Sequence, residues 1–118
     1  MRPKLAVFDV AGTTVLDDDD AVGSKVCEAL AEDGIETGLD DVNPLMGMPK
    51  PLAVTRILEQ QLGLKPESER VERVHRRFQS LMIEHYRTSP TVEPMPGAVT
   101  LFEELRRHGC RVALDTGF

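Results

Sequence analysis

The sequence contains no tryptophan, and its aromatic residues are four phenylalanines and one tyrosine. It therefore offers little of the aromatic surface on which nucleic-acid bases stack. Basic residues are also outnumbered, because 14 Lys and Arg against 20 Asp and Glu leave a formal net charge of −6. Long apolar runs are absent, and a stretch such as Leu5–Phe8 is far too short to cross a membrane. We expect neither a nucleic-acid partner nor a membrane partner.

Cysteine is scarce as well. Cys27 and Cys110 are the only two, and they have neither metal-ligand spacing nor the pattern of a disulfide framework. The opening "MRPK" is followed by a short apolar stretch that Asp9 interrupts, which is not typical of a secretory signal. The 118 residues, 41% hydrophobic and 29% charged, are typical of a soluble globular chain. The expected location is the cytoplasm.

Apolar spacing and helix-end signals predict a strand and then three helices. Residues 4–8 suit a short strand buried on both faces of a parallel sheet. The run Asp17–Asp20 supplies an N-cap and a negative first turn for a helix over residues 21–34. A second helix is predicted from Pro51 to about Leu62, because proline is favoured at the first helical position and Gly63 can end the helix.

A third helix follows Pro66, and a fourth occupies "AVTLFEELRRHG" after a proline-rich joint. The third has an apolar stripe, formed by Val71, Val74, Phe78, Leu81 and Met82. We expect its four arginines to form a solvated face; they are Arg70, Arg73, Arg76 and Arg77. The fourth has its own stripe of Ala98, Leu101, Phe102 and Leu105, and a strand, "CRVALD", follows it.

The predicted order places the second strand beside the first as a parallel crossover pair. Two parallel strands do not form a sheet that stands alone, because parallel sheets need several strands and cover on both faces. Either two protomers share a sheet as a homodimer, or more chain belongs after Phe118. We expect the second arrangement.

The ends of both predicted strands offer groups that suit phosphoryl chemistry. Asp9 ends the first strand and is followed by small residues, which let backbone N–H groups approach an anion, and by the hydroxyls of Thr13 and Thr14. A carboxylate there can ligate Mg²⁺ and attack phosphorus, although an aspartate that only caps a turn is the alternative. Thr116 and Gly117 end the second strand in the same way, and an ordinary turn is again the alternative.

These motifs, "VFDVAGTT" and the terminal Thr-Gly, resemble the first two motifs of the haloacid dehalogenase (HAD) superfamily of aspartyl-nucleophile hydrolases. The resemblance implies an α/β, Rossmann-like core, incomplete here, with a helical cap inserted after the first strand. It implies core residues 1–15 and 92–118 and a cap of residues 16–91. It also implies Mg²⁺ held by Asp9 and the Ala11 carbonyl.

The same resemblance implies that Gly12, Thr13, Thr116 and Gly117 hold phosphoryl oxygens. Superfamily phosphatases usually carry a second Asp two residues after the nucleophile, as the general acid for a leaving oxygen, and here that residue is Ala11. The pattern D-x-A-G-T is similar to that of phosphonoacetaldehyde hydrolases (phosphonatases), which break a P–C bond and need no such acid.

Phosphonatases use a cap lysine that forms a Schiff base with the substrate aldehyde, within an M-G-x-x-K stretch. This sequence reads "MGMPK", so the resemblance implies that Lys50 is that lysine and that Met46 and Gly47 line the substrate pocket. Pro51 places Lys50 near a helix N-terminus, whose positive end, with apolar neighbours, favours a neutral amine. The alternative is a solvated loop lysine.

Two departures from the family pattern stand out. Phosphonatases commonly have a histidine three residues after the lysine, where this sequence has Ala53. We expect His75, His85 and His108 to have structural roles. The superfamily's later basic and acidic motifs do not follow Phe118, so we expect the 118-residue chain alone to be nearly inactive, because charge stabilisation carries much of phosphoryl transfer.

The sequence thus predicts a Mg²⁺-dependent hydrolase of the HAD type that cleaves a phosphorus bond in a small phosphonate or phosphorylated substrate. The P–C bond of phosphonoacetaldehyde or a related compound is the expected target, through an aspartyl-phosphate intermediate. The alternatives are a phosphate-monoester phosphatase of the same superfamily and a non-catalytic remnant that serves as a binding module.

Overall fold

The computed structural model describes residues 2–17 and 19–118. In chain order, the helices and strands are β1 (Leu5–Asp9), α1 (Ala21–Glu32), α2 (Leu39–Val42), a 3₁₀ turn (Asn43–Leu45), α3 (Lys50–Leu62), α4 (Ser68–Thr88), α5 (Ala98–Arg107) and β2 (Arg111–Asp115). They form two compact units. The sheet unit comprises Met1–Asp18 and Pro90–Thr116, and the helical unit comprises Asp19–Ser89 and Gly117–Phe118. The expected domain boundaries put residues 117 and 118 with the core, whereas here they pack with the helices.

The sheet unit contains β1 and β2, which pair in parallel as predicted, in the register that joins Leu5 to Arg111 and Asp9 to Asp115. The helix α5 lies against one face, where the rings of Phe8 and Phe102 are 5.3 Å apart. The expectation that β1 is buried on both faces is wrong, because Leu5 is 52% and Val7 58% exposed. Their face of the pleat is the one opposite α5.

The predicted stripe of α5 is only partly buried. Ala98 is 8% exposed, but Leu101 on the same stripe is 45% exposed. A single helix over two strands covers less apolar surface than its own stripe presents, so part of that stripe faces solvent.

The helical unit holds the main hydrophobic core, formed by α1, α3 and α4. The spacing of Val74, Phe78, Leu81 and Met82 at i, i+4, i+7 and i+8 places all four on one face of α4, and all are buried. They pack with apolar side chains of the neighbouring helices; the side chains with less than 2% exposure are Phe78, Leu30, Ile57, Leu58, Met82, Val26, Val42, Val54 and Val74.

Some helix boundaries differ from the predicted ones because residues of the adjoining loops determine where each helix begins. The helix α3 begins at Lys50, so that Pro51 is its second residue, and it ends at Gly63 with φ 71° as expected. The aspartate run provides the N-cap residue of α1, Asp20, but that residue has φ 50° and its side chain makes no capping hydrogen bond. The connection before "MGMPK" was expected to be a loop, yet it contains α2, where the Gly38 N–H donates to Asp41 at 2.9 Å.

Arg73, Arg76 and Arg77 of α4 are exposed, as expected of a solvated face. Three of the four arginines also form ion pairs with α1, which the sequence did not predict. Arg70 and Arg73 both bind the Asp33 carboxylate, at 2.6 and 2.7 Å, and Arg77 binds Glu32 at 2.5 Å. Both acids lie at the C-terminal end of α1, where the helix dipole disfavours negative charge. The arginines offset that charge and tie α4 to α1.

These ion pairs predict an acid-sensitive contribution to stability. Partial burial alone raises the pKa of Asp33, but hydrogen bonds from Arg70 and Arg73 outweigh it and hold that pKa below its ordinary value. A hydrogen bond from Arg77 lowers the pKa of Glu32 in the same way. A carboxylate whose pKa is lower in the folded state stabilises the fold at pH values above its unfolded-state pKa of about 4. This stabilisation is lost as the pH falls through the folded-state pKa.

We therefore expect Asp33→Asn to lower the free energy of unfolding by about 2 kcal/mol at pH 7. The variant should also lose less stability than the wild type between pH 5 and pH 3 (about the range in which carboxylates titrate). Urea unfolding at several pH values measures both quantities, with Asp40→Asn, on the exposed side of α2, as the matched control. Equal pH dependence in the wild type and Asp33→Asn would contradict the assignment.

Candidate active site

Three polar residues lie at the carboxyl edge of the two-stranded sheet. The parallel register places Asp115 directly opposite Asp9, and Thr116 follows one residue later. All three residues are exposed. The sequence predicted that Asp9 and Thr116 share this edge, but it did not single out Asp115, although the two strands, LAVFD and RVALD, both end in aspartate.

A tight loop follows Asp9 and is organised around one carbonyl group. The carbonyl of Val10 accepts hydrogen bonds from the amides of Thr13, Thr14 and Val15 at 3.2, 3.0 and 3.0 Å. Gly12 has φ 75°, a left-handed conformation that glycine adopts without strain, and its N–H donates to the Val15 carbonyl at 2.8 Å. The turn therefore uses the amides of Gly12 and Thr13 internally.

The hydrogen bonds inside the turn limit which groups of the loop are able to contact an anion. A contact from Thr13 is left to its hydroxyl, and Gly12 contributes chiefly by permitting the turn. Within residues 2–17 and 19–118, no loop or turn hydrogen bond uses the amides of Val10 or Ala11 as donors. The sequence-based prediction that backbone amides after Asp9 approach an anion stays a prediction.

Thr14 has a different place from the one expected. It is 5% exposed, and its hydroxyl donates to the Asp9 carbonyl at 2.9 Å, not to a ligand at the surface. Its own carbonyl accepts from the Met95 amide at 2.8 Å. Thr14 therefore holds the main chain of Asp9 in place and is not an anion donor.

The oxygen atoms of Asp9 and Ala11 suit a hard divalent cation. Among the described residues, neither the Asp9 carboxylate nor the Ala11 carbonyl accepts a hydrogen bond in the loop. Carboxylate and carbonyl oxygens are ligands that Mg²⁺ prefers, and Mg²⁺ commonly keeps several waters beside one or two carboxylates. Across the described chain, no group of three or more His, Cys, Asp and Glu residues could hold a metal ion. The metal-binding role of Asp9 and the Ala11 carbonyl stays a prediction.

Lys50 is the first residue of α3 in the helical unit, and it is not a solvated loop lysine. It is 5% exposed, its Nζ is 3.5 Å from the Met48 carbonyl oxygen, and it lies 5.7 Å from the centroid of the Phe118 ring. The Lys50 backbone N–H donates to the Gly117 carbonyl at 2.8 Å. Because this carbonyl satisfies a donor at the start of the helix, α3 begins without a side-chain cap.

The neighbours of Lys50 in sequence lie in three different environments. Met46 is half-buried at the end of the 3₁₀ turn, and Gly47 is exposed. Ala53, one turn after Lys50, is 0% exposed, so the position at which phosphonatases commonly have a histidine lies inside the apolar core here. The pocket-lining role of Met46 and Gly47 stays a prediction.

Two residues of α4 contact Phe118, which itself lies beside Lys50, and the sequence did not predict these contacts. His75 Nε2 and Gln79 Nε2 both hydrogen-bond the main-chain oxygen of Phe118, and the Gln79 distance is 3.3 Å. They are four positions apart on α4, flanking the buried Phe78, and that spacing was the available signal. The other two histidines behave as expected, since His85 contacts the neighbouring Tyr86 ring and His108 bonds its own helix turn.

Over the part of the chain that the structure describes, no helix is long and apolar enough to cross a membrane.

Comparison with known proteins finds relatives of the chain in sequence and in structure. No family model matches the chain. Over its whole length, it is 28% identical to the phosphonoacetaldehyde hydrolase of Bordetella pertussis, and the alignment covers 45% of that protein. The chain thus spans less than half the length of the curated relatives that it matches.

Solved structures share the fold. A phosphonoacetaldehyde hydrolase-like protein from Oleispira antarctica matches 99% of this chain and 45% of its own, with a TM-score of 0.77 and 22% identity. A HAD hydrolase from Entamoeba histolytica matches 98% of this chain and 49% of its own, with a TM-score of 0.71 and 19% identity. The expected fold class, an incomplete HAD core with helices inserted after the first strand, is confirmed, and so is the resemblance to phosphonatases.

Proposed function

We propose that the chain supplies the nucleophile and the amine of a phosphonatase-like HAD hydrolase, which cleaves the P–C bond of phosphonoacetaldehyde or a closely related aldehyde. The observation that carries this proposal is the burial of Lys50. Lys50 as a whole is 5% exposed and its Nζ lies 5.7 Å from an aromatic ring centroid. Burying a lysine costs solvation energy that a structural lysine avoids by extending its amine to water. A buried lysine amine is typical of Schiff-base chemistry.

The first step proposed is imine formation. The Lys50 amine adds to the aldehyde carbon, the C–O bond breaks, and water leaves with the protons that the nitrogen loses. The protonated imine is a much stronger electron acceptor than the carbonyl group of the aldehyde. The carbon that is bonded to phosphorus can therefore leave as part of an enamine, so no free carbanion forms.

Phosphoryl transfer to Asp9 follows. A carboxylate oxygen of Asp9 attacks phosphorus while the P–C bond breaks, and the electron pair of that bond moves toward the imine nitrogen to form an enamine. Water then cleaves the aspartyl phosphate to inorganic phosphate. Protonation and hydrolysis of the enamine release acetaldehyde and restore the Lys50 amine.

The residues around Asp9 suit this chemistry. No leaving oxygen needs a proton, so Ala11 in place of a second aspartate removes nothing that the reaction uses. Asp9 and the Ala11 carbonyl hold Mg²⁺, which supplies charge neutralisation at the phosphoryl group when it is bound. The Thr116 hydroxyl at the same sheet edge donates to a phosphoryl oxygen.

A phosphate-monoester phosphatase is the second candidate, and Ala53 favours it. Its methyl group, buried in the core, provides no proton shuttle beside Lys50. If Lys50 had no chemical role, the same Asp9 and Mg²⁺ would serve a monoester.

Substrate profiling of the intact gene product separates the two candidates. With phosphonoacetaldehyde we expect acetaldehyde and inorganic phosphate in equal amounts, and a kcat/KM about 100-fold or more above that for phosphoglycolate. The reverse preference would support the phosphatase. Turnover of neither compound would contradict both proposals.

A further inference from the structure

The dipeptide Gly117–Phe118 belongs to the helical unit, with Gly117 exposed and Phe118 half-buried, and it contacts the start of α3 and one side of α4. An added Cβ on Gly117 would lie 3.2 Å from the Met48 carbonyl oxygen, so the backbone passes this turn at a distance that favours glycine. The Gly117 carbonyl accepts the Lys50 N–H at 2.8 Å. The dipeptide is thus fastened to the residue that carries the proposed reactive amine.

The ring of Phe118 is packed on three sides. It meets the Phe78 ring edge-on at 5.5 Å and 88°, and it stacks on the Tyr86 ring at 6.2 Å and 18°. The Lys50 Nζ lies 5.7 Å from its centroid, within the range of about 6 Å at which a ring face attracts an ammonium group. The Phe118 ring therefore forms one wall of the space around the amine.

The main chain of Phe118 is held by two donors from α4. His75 Nε2 and Gln79 Nε2 both point to its main-chain oxygen, and because a carbonyl-type oxygen only accepts, the His75 tautomer is assigned with its proton on Nε2. His75 is half-buried and its ring stacks against Phe78 at 6.4 Å. The donors are therefore themselves fixed by packing.

We propose that His75 and Gln79 are positioning residues for Lys50: they clamp the main chain of Phe118 so that its ring covers the amine and orients it toward a bound aldehyde. The inference rests on the proposed function, because it concerns the reactivity of the same lysine. Neither residue transfers a proton in this role. Loss of a donor frees the Phe118 segment, which removes the wall and lets the amine adopt other rotamers.

Reductive trapping measures this role directly. Acetaldehyde forms an imine with a lysine amine as the new C–N bond replaces the C–O bond and water leaves; cyanoborohydride then delivers hydride to the imine carbon, which yields a stable secondary amine. Mass spectrometry of peptides from the intact gene product gives the rate at Lys50 and, as an internal reference, at the exposed Lys65.

In the wild type we expect trapping at Lys50 to be faster than at Lys65. His75→Leu should slow trapping at Lys50 about fivefold, as expected for one lost hydrogen bond, with no change at Lys65. His75→Gln keeps an N–H donor and should restore most of the rate, which a role in overall stability would not predict. Gln79→Leu should act in the same direction as His75→Leu, and His108→Leu, in the sheet unit, is the matched control.

The outcomes separate this inference from the proposed function. Preferential trapping at Lys50 that persists in both His75→Leu and Gln79→Leu would overturn the positioning role and leave the imine chemistry intact. No preference for Lys50 over Lys65 in the wild type would overturn both. If His75→Leu proves unfolded by circular dichroism, Gln79→Leu and His75→Gln still decide the question, because a rate for His75→Gln equal to that of Gln79→Leu contradicts rescue by a donor.

Discussion

Asp9→Asn is expected to abolish hydrolysis by the intact gene product, with a loss on the order of 10⁴-fold in kcat. The amide nitrogen and oxygen of asparagine do not attack phosphorus to form an acyl phosphate, and a neutral side chain also binds Mg²⁺ far less well. The side chain is exposed at the sheet edge, so the change should leave stability within about 0.5 kcal/mol of the wild type. Phosphate release and thermal unfolding measure the two effects.

Asp115→Asn is the matched comparison for this prediction. It removes one negative charge at the position paired with Asp9 on β2 and leaves the proposed nucleophile in place. We expect its loss of kcat to be no more than about tenfold, the scale of a change in local charge. Equal losses in the two variants, or turnover retained in Asp9→Asn, would refute the role of Asp9 as nucleophile.

Lys50→Arg is expected to lower cleavage of phosphonoacetaldehyde on the order of 10³-fold. A guanidinium keeps the positive charge but stays protonated at any working pH, so it forms no imine. Without the imine, the electron pair of the P–C bond has no acceptor, and the carbon does not leave. Acetaldehyde and phosphate release, assayed separately, report the loss.

Two further variants make the Lys50 result decisive. Lys50→Met has nearly the same length, suits a buried position and also lacks the amine, so it should lose activity equally if chemistry and not packing is responsible. Lys65→Arg changes an exposed lysine of the same unit and should leave the rate unchanged. Normal activity in both Lys50 variants would favour the phosphatase candidate.

Local signals in the sequence anticipated much of the fold because each has a local physical cause. Proline near a helix start and a glycine that adopts positive φ bound α3 through backbone geometry alone. The spacing of Val74, Phe78 and Met82 predicted the buried face of α4. The order of the elements, with a helix before the second strand, predicted a parallel crossover pair, and the parallel pairing is confirmed.

Long-range contacts were not accessible in this way. The salt bridge between Arg70 and Asp33 joins residues 37 positions apart, and no local pattern specifies which acid an arginine on a long helix meets. The exposure of Leu5 and Val7 was not predicted either. An apolar run indicates that a strand tends to be buried, but it does not show how many helices and strands pack against that strand.

For the candidate site too, some features follow from the sequence and others only from the tertiary structure. The sequence by itself determined the chemical groups: a carboxylate at a strand end, alanine and not a second aspartate at position 11, and a lysine next to proline in "MGMPK". Only the tertiary structure decided that Lys50 is buried, that Ala53 belongs to the core, and that His75 and Gln79 reach Phe118. Residue identity sets which bonds a side chain is able to make, whereas burial and partners depend on helices that meet across dozens of positions of chain.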